Sequence, residues 1–256
     1  MRGVVLKDLT WPEAREAFRR LPVAVLPVGA AAKEHGPHLP LGTDLIWAET
    51  LGAAAVERTP CILLPTLAYG YYPAFVDWPG SVSLRHEVFM GAVADIVRSI
   101  ARHGVRRFAI LNTGVSTTGP LEIVSRELHR ELGVLVAVLL IEGLGAEYWR
   151  GVSAQRAGTH AEEKETSFML HVRPDLVRTD RIVDEIDDRG GPAFQTGTGG
   201  VRKVLLGRAM STASGIHGQA TLASADKGRG LLDAMVRDVV HLIEALAEAP
   251  LPDRAG

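Results

Sequence analysis

Val23-Ala24-Val25-Leu26-Pro27-Val28-Gly29, followed three residues later by Lys33-Glu34-His35-Gly36-Pro37-His38-Leu39-Pro40-Leu41-Gly42-Thr43-Asp44, is the stretch that decides the architecture. Its first part is apolar and β-branched but too short for a buried helix, which is how a buried parallel strand reads. Its second part packs two imidazoles and several charged groups into a loop that Gly36, Pro37 and Pro40 keep irregular. Strands of the same character recur at Ile62-Leu63-Leu64, at Phe108-Ala109-Ile110-Leu111 and from Val134 to Ile141. Helical segments are expected at Thr10 to Arg20, Asp44 to Arg58, His86 to His103, Pro120 to Leu132, around 160–172, and Leu222 to Ala247. Thr10-Trp11-Pro12-Glu13 carries the first of these signals, an N-cap Thr with Glu three residues on and Pro inside the first turn. Strand and helix alternate, so the expected fold class is α/β: a single domain over residues 1–256 with a mostly parallel sheet flanked by helices.

The 256 residues lie within reach of one hydrophobic core, and no linker-like run divides them. Apolar residues make up 46% and charged residues 23%, enough for that core. A formal net charge of −2 without a Lys/Arg block argues against a nucleic-acid partner. The lone Cys61 sits in an apolar run and reads as buried filler. No segment has the length and apolarity of a signal peptide or a membrane span, so a cytoplasmic protein without membrane partners is expected.

Ligands of open α/β sheets gather beyond the carboxyl ends of the strands. The segments expected there are Gly29 to Thr43, Tyr69 to Leu84, Asn112 to Gly119, and the stretch from Glu142-Gly143 onward. In the first, His35, Glu34 and Asp44 suit Zn²⁺, Mn²⁺ or Fe²⁺ by donor type. The plainer reading makes Asp44 the N-cap of the next helix and leaves His35 and His38 on a solvated loop. In Gly158-Thr159-His160-Ala161-Glu162-Glu163, a capping box opens a helix and i,i+3 spacing puts His160 and Glu163 on one face. Acids there also simply oppose the helix dipole, whereas His160 at that end is most useful as a neutral base. Asn112-Thr113-Gly114-Val115-Ser116-Thr117 precedes a helix N-terminus, where Asn112 and Ser116 are candidates to hold an anionic or polar ligand. It is no Walker loop, and the spacing around Ser116 fails the nucleophile elbow; an ordinary strand-to-helix turn explains it as well. Gly190-Gly191 and Gly197-Thr198-Gly199-Gly200 read as a mobile loop, and His217, just before the last helix, as a group able to reach a neighbouring subunit.

These segments together resemble the creatininase (creatinine amidohydrolase) family. The resemblance is carried by Val25-Leu26-Pro27-Val28-Gly29 with His35-Gly36-Pro37-His38-Leu39-Pro40-Leu41-Gly42-Thr43-Asp44. It continues through Trp78-Pro79-Gly80-Ser81-Val82-Ser83-Leu84, His160-Ala161-Glu162-Glu163-Lys164-Glu165-Thr166-Ser167 and Ala223-Ser224-Ala225-Asp226-Lys227-Gly228. It implies a homohexamer whose subunits each activate water at a dinuclear Zn, Mn or Fe site. By the same resemblance His35 binds one metal, Asp44 bridges, Glu163 closes the first metal's shell and His160 acts near the scissile bond.

The departures are as informative. Lys33 stands where the family has Glu, with one residue extra between Gly29 and His35; Gly114 stands where it has a ligand His; Ala74 and Phe75 replace an acid-His pair. Two ligands of one metal are thus gone, which points to one divalent transition metal (Zn, Mn or Fe) per subunit, the second being doubtful. Glu34 is the remaining candidate for the vacated place, and the ammonium of Lys33 is a charge substitute beside Asp44. The expected activity is metal-dependent hydrolysis of a small cyclic amide, lactam or related C–N substrate, or a cyclic ketone. His160 then shuttles the proton, and Tyr69, Trp78 and Trp149 form apolar walls. The competing reading is a non-catalytic binding or assembly protein on the same scaffold.

Overall fold

The computed structural model describes residues 2–186 and 212–251; the glycine-rich segment around 190–200 lies outside them. Five parallel strands form the central sheet: β1 (Val4–Val5), β2 (Ala24–Val28), β3 (Ile62–Leu63), β4 (Arg107–Asn112) and β5 (Leu135–Leu140), in the order β1-β3-β2-β4-β5. Seven α-helices accompany it among the described residues: α1 (Trp11–Arg20), α2 (Thr43–Arg58), α3 (His86–Ala101), α4 (Thr118–Leu132), α5 (Ala146–Val152), α6 (Glu163–Val172) and α7 (Ala225–Glu248). A two-residue antiparallel ribbon pairs β6 (Asp184–Glu185) with β7 (Gly218–Gln219).

The two central strands are covered on both faces, and their side chains alternate between two cores as the period-2 pleat requires. Val25, Ala109 and Leu111 enter a core with Trp47, Leu51, Phe168, Met235 and Val239 from α2, α6 and α7. Ala24, Leu26, Phe108 and Ile110 enter the opposite one, with Phe89, Val93, Leu121 and Val124 from α3 and α4. Cys61 is buried and free. The capping box of α1 forms: the Glu13 side chain takes the Thr10 amide at 2.7 Å. No described helix is long and apolar enough to cross a membrane.

Chain direction creates the site. From β2 the chain passes through α2 to β3 on one side; from β3 it passes through α3 to β4 on the other side of β2. The crevice between the carboxyl ends of β2 and β4 is therefore the switch point of the sheet. Gly29 shows how tightly the chain returns across it, since a Cβ there would lie 2.4 Å from the Asp44 carbonyl oxygen. Thr113, at the end of β4, donates its hydroxyl to that carbonyl at 2.8 Å.

One helix begins later than its sequence signals suggest. α6 starts at Glu163, with the Glu162 side chain capping the Lys164 amide at 2.7 Å. Ala161 has φ of 51°, a turn that separates His160 from the helix. His160 lies instead on an extended segment bridged to His217, which donates its backbone N–H to the His160 carbonyl at 2.9 Å. The expected i,i+3 face of His160 and Glu163 is therefore absent, and His217 pairs within its own chain.

Phe168 joins the halves of the helical core by stacking on Trp47 at a centroid distance of 3.8 Å. Phe168→Ala is expected to cost about 3–5 kcal/mol, read as a lowered urea midpoint; a loss under about 1 kcal/mol would mean that the α2–α6 contact contributes little.

Candidate metal and active site

The loop after β2 delivers three consecutive groups into the crevice, each in a different direction. Lys33 places its ammonium 2.7 Å from Asp44 Oδ2, with both side chains almost wholly buried. His35 turns Nδ1 to the Lys33 carbonyl at 2.9 Å and Nε2 to Asp44 Oδ1 at 3.0 Å. When Nδ1 donates to that carbonyl, the neutral ring presents a lone pair to a carboxylate oxygen, and a proton or a cation has to stand between them. Burial by itself would raise the Asp44 pKa, but the charge of Lys33 and the contact with His35 outweigh it and hold the carboxyl well below its usual range.

Glu34 points the other way, to His160. Its Oε2 lies 3.1 Å from His160 Nε2, its carbonyl 2.9 Å from the same nitrogen, and its Oε1 accepts the Gly36 amide. Ser81 Oγ accepts the Glu34 amide at 2.9 Å, tying this loop to the one after β3. For His160, burial works against the charged ring, yet the bond and charge of Glu34 prevail and raise its pKa. The partner effect lowers that of Glu34 against its own burial. A metal ion at this imidazole would have to displace a proton, as coordination generally does.

The second ring nitrogen of His160, Nδ1, faces Glu165 Oε2 at 3.9 Å. One donor atom each from His35, His160 and Glu165 lies within 4.8 Å of the other two. Two imidazoles and a carboxylate converging from the β2 loop, the 153–162 segment and α6 match the donor set of Zn²⁺, Mn²⁺ or Fe²⁺, so the residues present fit such an ion.

Glu163 does not join them. Its fully buried carboxylate takes the Ser153 hydroxyl at 2.8 Å, the amides of Ala154 and Gln155 at 3.0 Å each, and the Lys227 ammonium. These donors lower its pKa against the burial that would raise it, and pin the 153–155 segment to α6 and α7. Glu163 thus builds the loop, and Glu165, two residues on, faces the histidines. His38 is a neutral packing group: burial pushes its pKa down to about 4, and Nε2 lies 2.8 Å from Thr166 Oγ1.

The expected ligand-binding residues divide similarly. Asn112 uses its side chain on its own loop, accepting from the Thr117 hydroxyl at 2.6 Å and the Gly114 amide at 3.2 Å. Ser116 is partly exposed on that loop. Tyr69 and Trp78 lie at the rim, Tyr69 at 48% exposure. Trp149, on α5, packs partly buried against the helical core. The aromatic groups nearest the charged cluster are Tyr72 and Phe75, whose ring centres lie 5.5 and 5.0 Å from Lys33 Nζ; Phe75 also sits 4.8 Å from His160. The sequence signal for Phe75 was its place in the family's acid-His pair; Tyr72 carried none.

A parallel α/β sheet that gathers buried imidazoles and carboxylates at its switch point is the framework of a hydrolytic enzyme. The chain belongs to the creatininase family, whose creatinine amidohydrolase profile matches residues 7–243. It is 30% identical over 266 residues to creatinine amidohydrolase of Pseudomonas putida, covering 94% of this chain and 96% of that protein. It is 24% identical to 3-dehydro-scyllo-inosose hydrolase of Thermotoga maritima (98% and 87% covered) and 29% identical to the mycofactocin precursor peptide peptidase of Mycolicibacterium smegmatis (95% and 91%). A crystal structure of creatininase superposes with a TM-score of 0.79 at 27% identity, covering 98% of this chain and all of the other. Creatininases described as the Mn form and as a Zn-Zn type superpose at 0.76 and 0.78, each 27% identical and covering 97% of this chain and all of the other.

The buried Lys33–Asp44 pair generates a prediction. Lys33→Met keeps the stem and removes the charge, leaving Asp44 buried and uncompensated; chelator-treated protein should lose about 3–5 kcal/mol of stability. Urea unfolding at neutral pH checks this, and an unchanged midpoint would mean that another cation neutralises Asp44.

Proposed function

We propose that this chain is a metal-dependent amidohydrolase that opens a C–N bond in a small, polar, cyclic amide or lactam. One divalent transition ion, Zn, Mn or Fe, is held by His35, His160 and Glu165. The observation that carries this reading is the convergence of those three donors within 4.8 Å of one another. Such an ion would supply a water of lowered pKa.

The protein's own groups do the rest. Glu34 accepts the Nε2 proton of His160 and so turns Nδ1 toward Glu165 and His35, the carboxylate-behind-imidazole arrangement that fixes ring orientation and raises basicity. Lys33 cancels the charge of Asp44, keeping that carboxylate ionised beside His35 without a second ion. Phe75 and Tyr72 lie against this charged group, their ring centres 5.0 and 5.5 Å from Lys33 Nζ, and the burial of the pair strengthens the electrostatic contacts inside. Tyr69 and Trp78 at the rim, with Ser116 opposite, are the groups left to meet the body of the substrate. This differs from the sequence expectation in four assignments: Glu165 replaces Glu163 as ligand, His160 becomes a ligand rather than a proton shuttle, Asp44 pairs with Lys33 instead of holding the ion, and Glu34 orients His160 instead of ligating.

The relatives' names span a lactam-like ring, a cyclic ketone and a peptide, so ring size and the exact bond remain the part of specificity that the rim decides. The same reading makes the protein a cytoplasmic homo-oligomer, a hexamer as the family resemblance implies.

Elemental analysis of two variants tests the ligand set. Glu165→Gln should lower metal retention after gel filtration by about 10-fold or more, whereas Glu163→Gln should keep the metal and lower the melting temperature through the loosened 153–155 segment. The opposite pattern would reinstate Glu163. A wild-type protein that takes up no metal from supplemented medium would favour the non-catalytic reading.

A further inference from the structure

Tyr72 is the least explained group near the site. Its side chain is 1% exposed, yet its hydroxyl has no hydrogen-bond partner among the described residues. A buried hydroxyl without a partner is costly, and in native structures such a group usually signals a ligand or an ordered water. The ring is locked in place. Its backbone amide donates to Ser83 Oγ at 2.8 Å, and it lies against two glycines whose lack of a side chain it exploits. A Cβ at Gly114 would sit 2.8 Å from Tyr72 Cε1 and 3.2 Å from its hydroxyl oxygen; a Cβ at Gly70 would sit 2.9 Å from that oxygen. The hydroxyl is thereby placed at the carboxyl end of β4, beside the crevice.

The electrostatic surroundings say which ligand atom suits it. Burial, and after it the charge of Asp44, raises the Tyr72 pKa well above the ordinary phenol value, so the group remains a neutral donor throughout the working range. Lys33 Nζ stands 5.5 Å from the ring centre. An ammonium has three donors, and the contact with Asp44 Oδ2 uses one. Two donors on adjoining side chains, next to a carboxylate that already has its counter-charge, suit an oxygen acceptor, above all one that gains negative charge during reaction.

We propose that Tyr72 Oη and Lys33 Nζ form an oxygen-binding subsite that receives the carbonyl oxygen of the substrate. This rests on the hydrolase reading above and deepens it. The subsite would let the protein's own donors stabilise the oxygen on the side away from His35, His160 and Glu165. It also selects substrates: a carbonyl or carboxylate oxygen can accept from both groups at once, whereas an ammonium at the same place could meet only the Tyr72 lone pairs and would face the like charge of Lys33.

Formate, the smallest carboxylate, is the probe. Titrated calorimetrically into the protein as purified, with its metal content measured alongside, it should bind wild type about tenfold more tightly than Tyr72→Phe, the usual effect of one lost hydrogen bond. Metal content and melting temperature should match between the two. A crystal structure with formate should place one of its oxygens within hydrogen-bond distance of Tyr72 Oη. Gly114→Ala, which pushes the ring aside, should weaken formate as Tyr72→Phe does. Equal affinity in wild type and Tyr72→Phe, no formate binding to wild type, or a protein group found on Tyr72 Oη would each overturn the proposal. Protein that carries no metal but still shows the tenfold difference would uphold the subsite while removing the metal-dependent reading.

Discussion

The structure of the site depends on one buried ion pair, Lys33 with Asp44. Taking two charges out of water is expensive, and the interior repays it only with close geometry and further hydrogen bonds. Both conditions are met: the pair is 2.7 Å apart, and His35 engages the other carboxylate oxygen. The pair fixes the loop after β2 to the first turn of α2. Lys33 is held at the crevice, so Glu34 and His35, the next two residues, must leave in different directions. One reaches His160 and the other stays with Asp44. The opposite headings of Glu34 and His35 thus start from the point where a single ammonium is anchored.

Around this pair the charges are arranged in layers. Asp44 is neutralised by Lys33, Glu34 is balanced by His160, and Glu163 by Lys227. Glu162 is pushed by burial and by Glu165 to a pKa of about 7, against the opposing pull of Lys164 and Gln155. Glu165 shares its side of the crevice with the imidazoles of His35 and His160. The aromatic side chains Tyr72 and Phe75 pack against the ammonium of Lys33.

Much of this was legible in the sequence, for identifiable reasons. The four longer apolar runs became β2 to β5; of these β2 and β4 are buried nearly throughout, and a strand buried on both faces has to be apolar along its length. The loop from Lys33 to Asp44 fell at the switch point because it follows the strand at which the sheet reverses its order. Val4–Val5 escaped because two residues carry no periodicity. The start of α6 was misplaced because Thr159 to Glu162 has the composition of a capping box, and composition cannot reveal that Ala161 takes a positive φ. That one turn exchanged Glu163 for Glu165 at the histidines. Tyr72 was illegible because its position follows from two glycines, of which Gly114 lies far away in the chain and is brought against it only in the folded molecule.

The contact between Tyr72 and Gly114 also constrains how this chain can change. The two positions share one volume, so either can carry a large side chain only while the other stays small. A histidine at 114 with Tyr72 still present would overfill the crevice, and a small residue at 72 with Gly114 still present would leave it hollow. Single steps in either direction therefore pass through a poorly packed protein. Any side chain introduced at 114 has to be matched by a change at 72, so the two positions can be redesigned only as a pair.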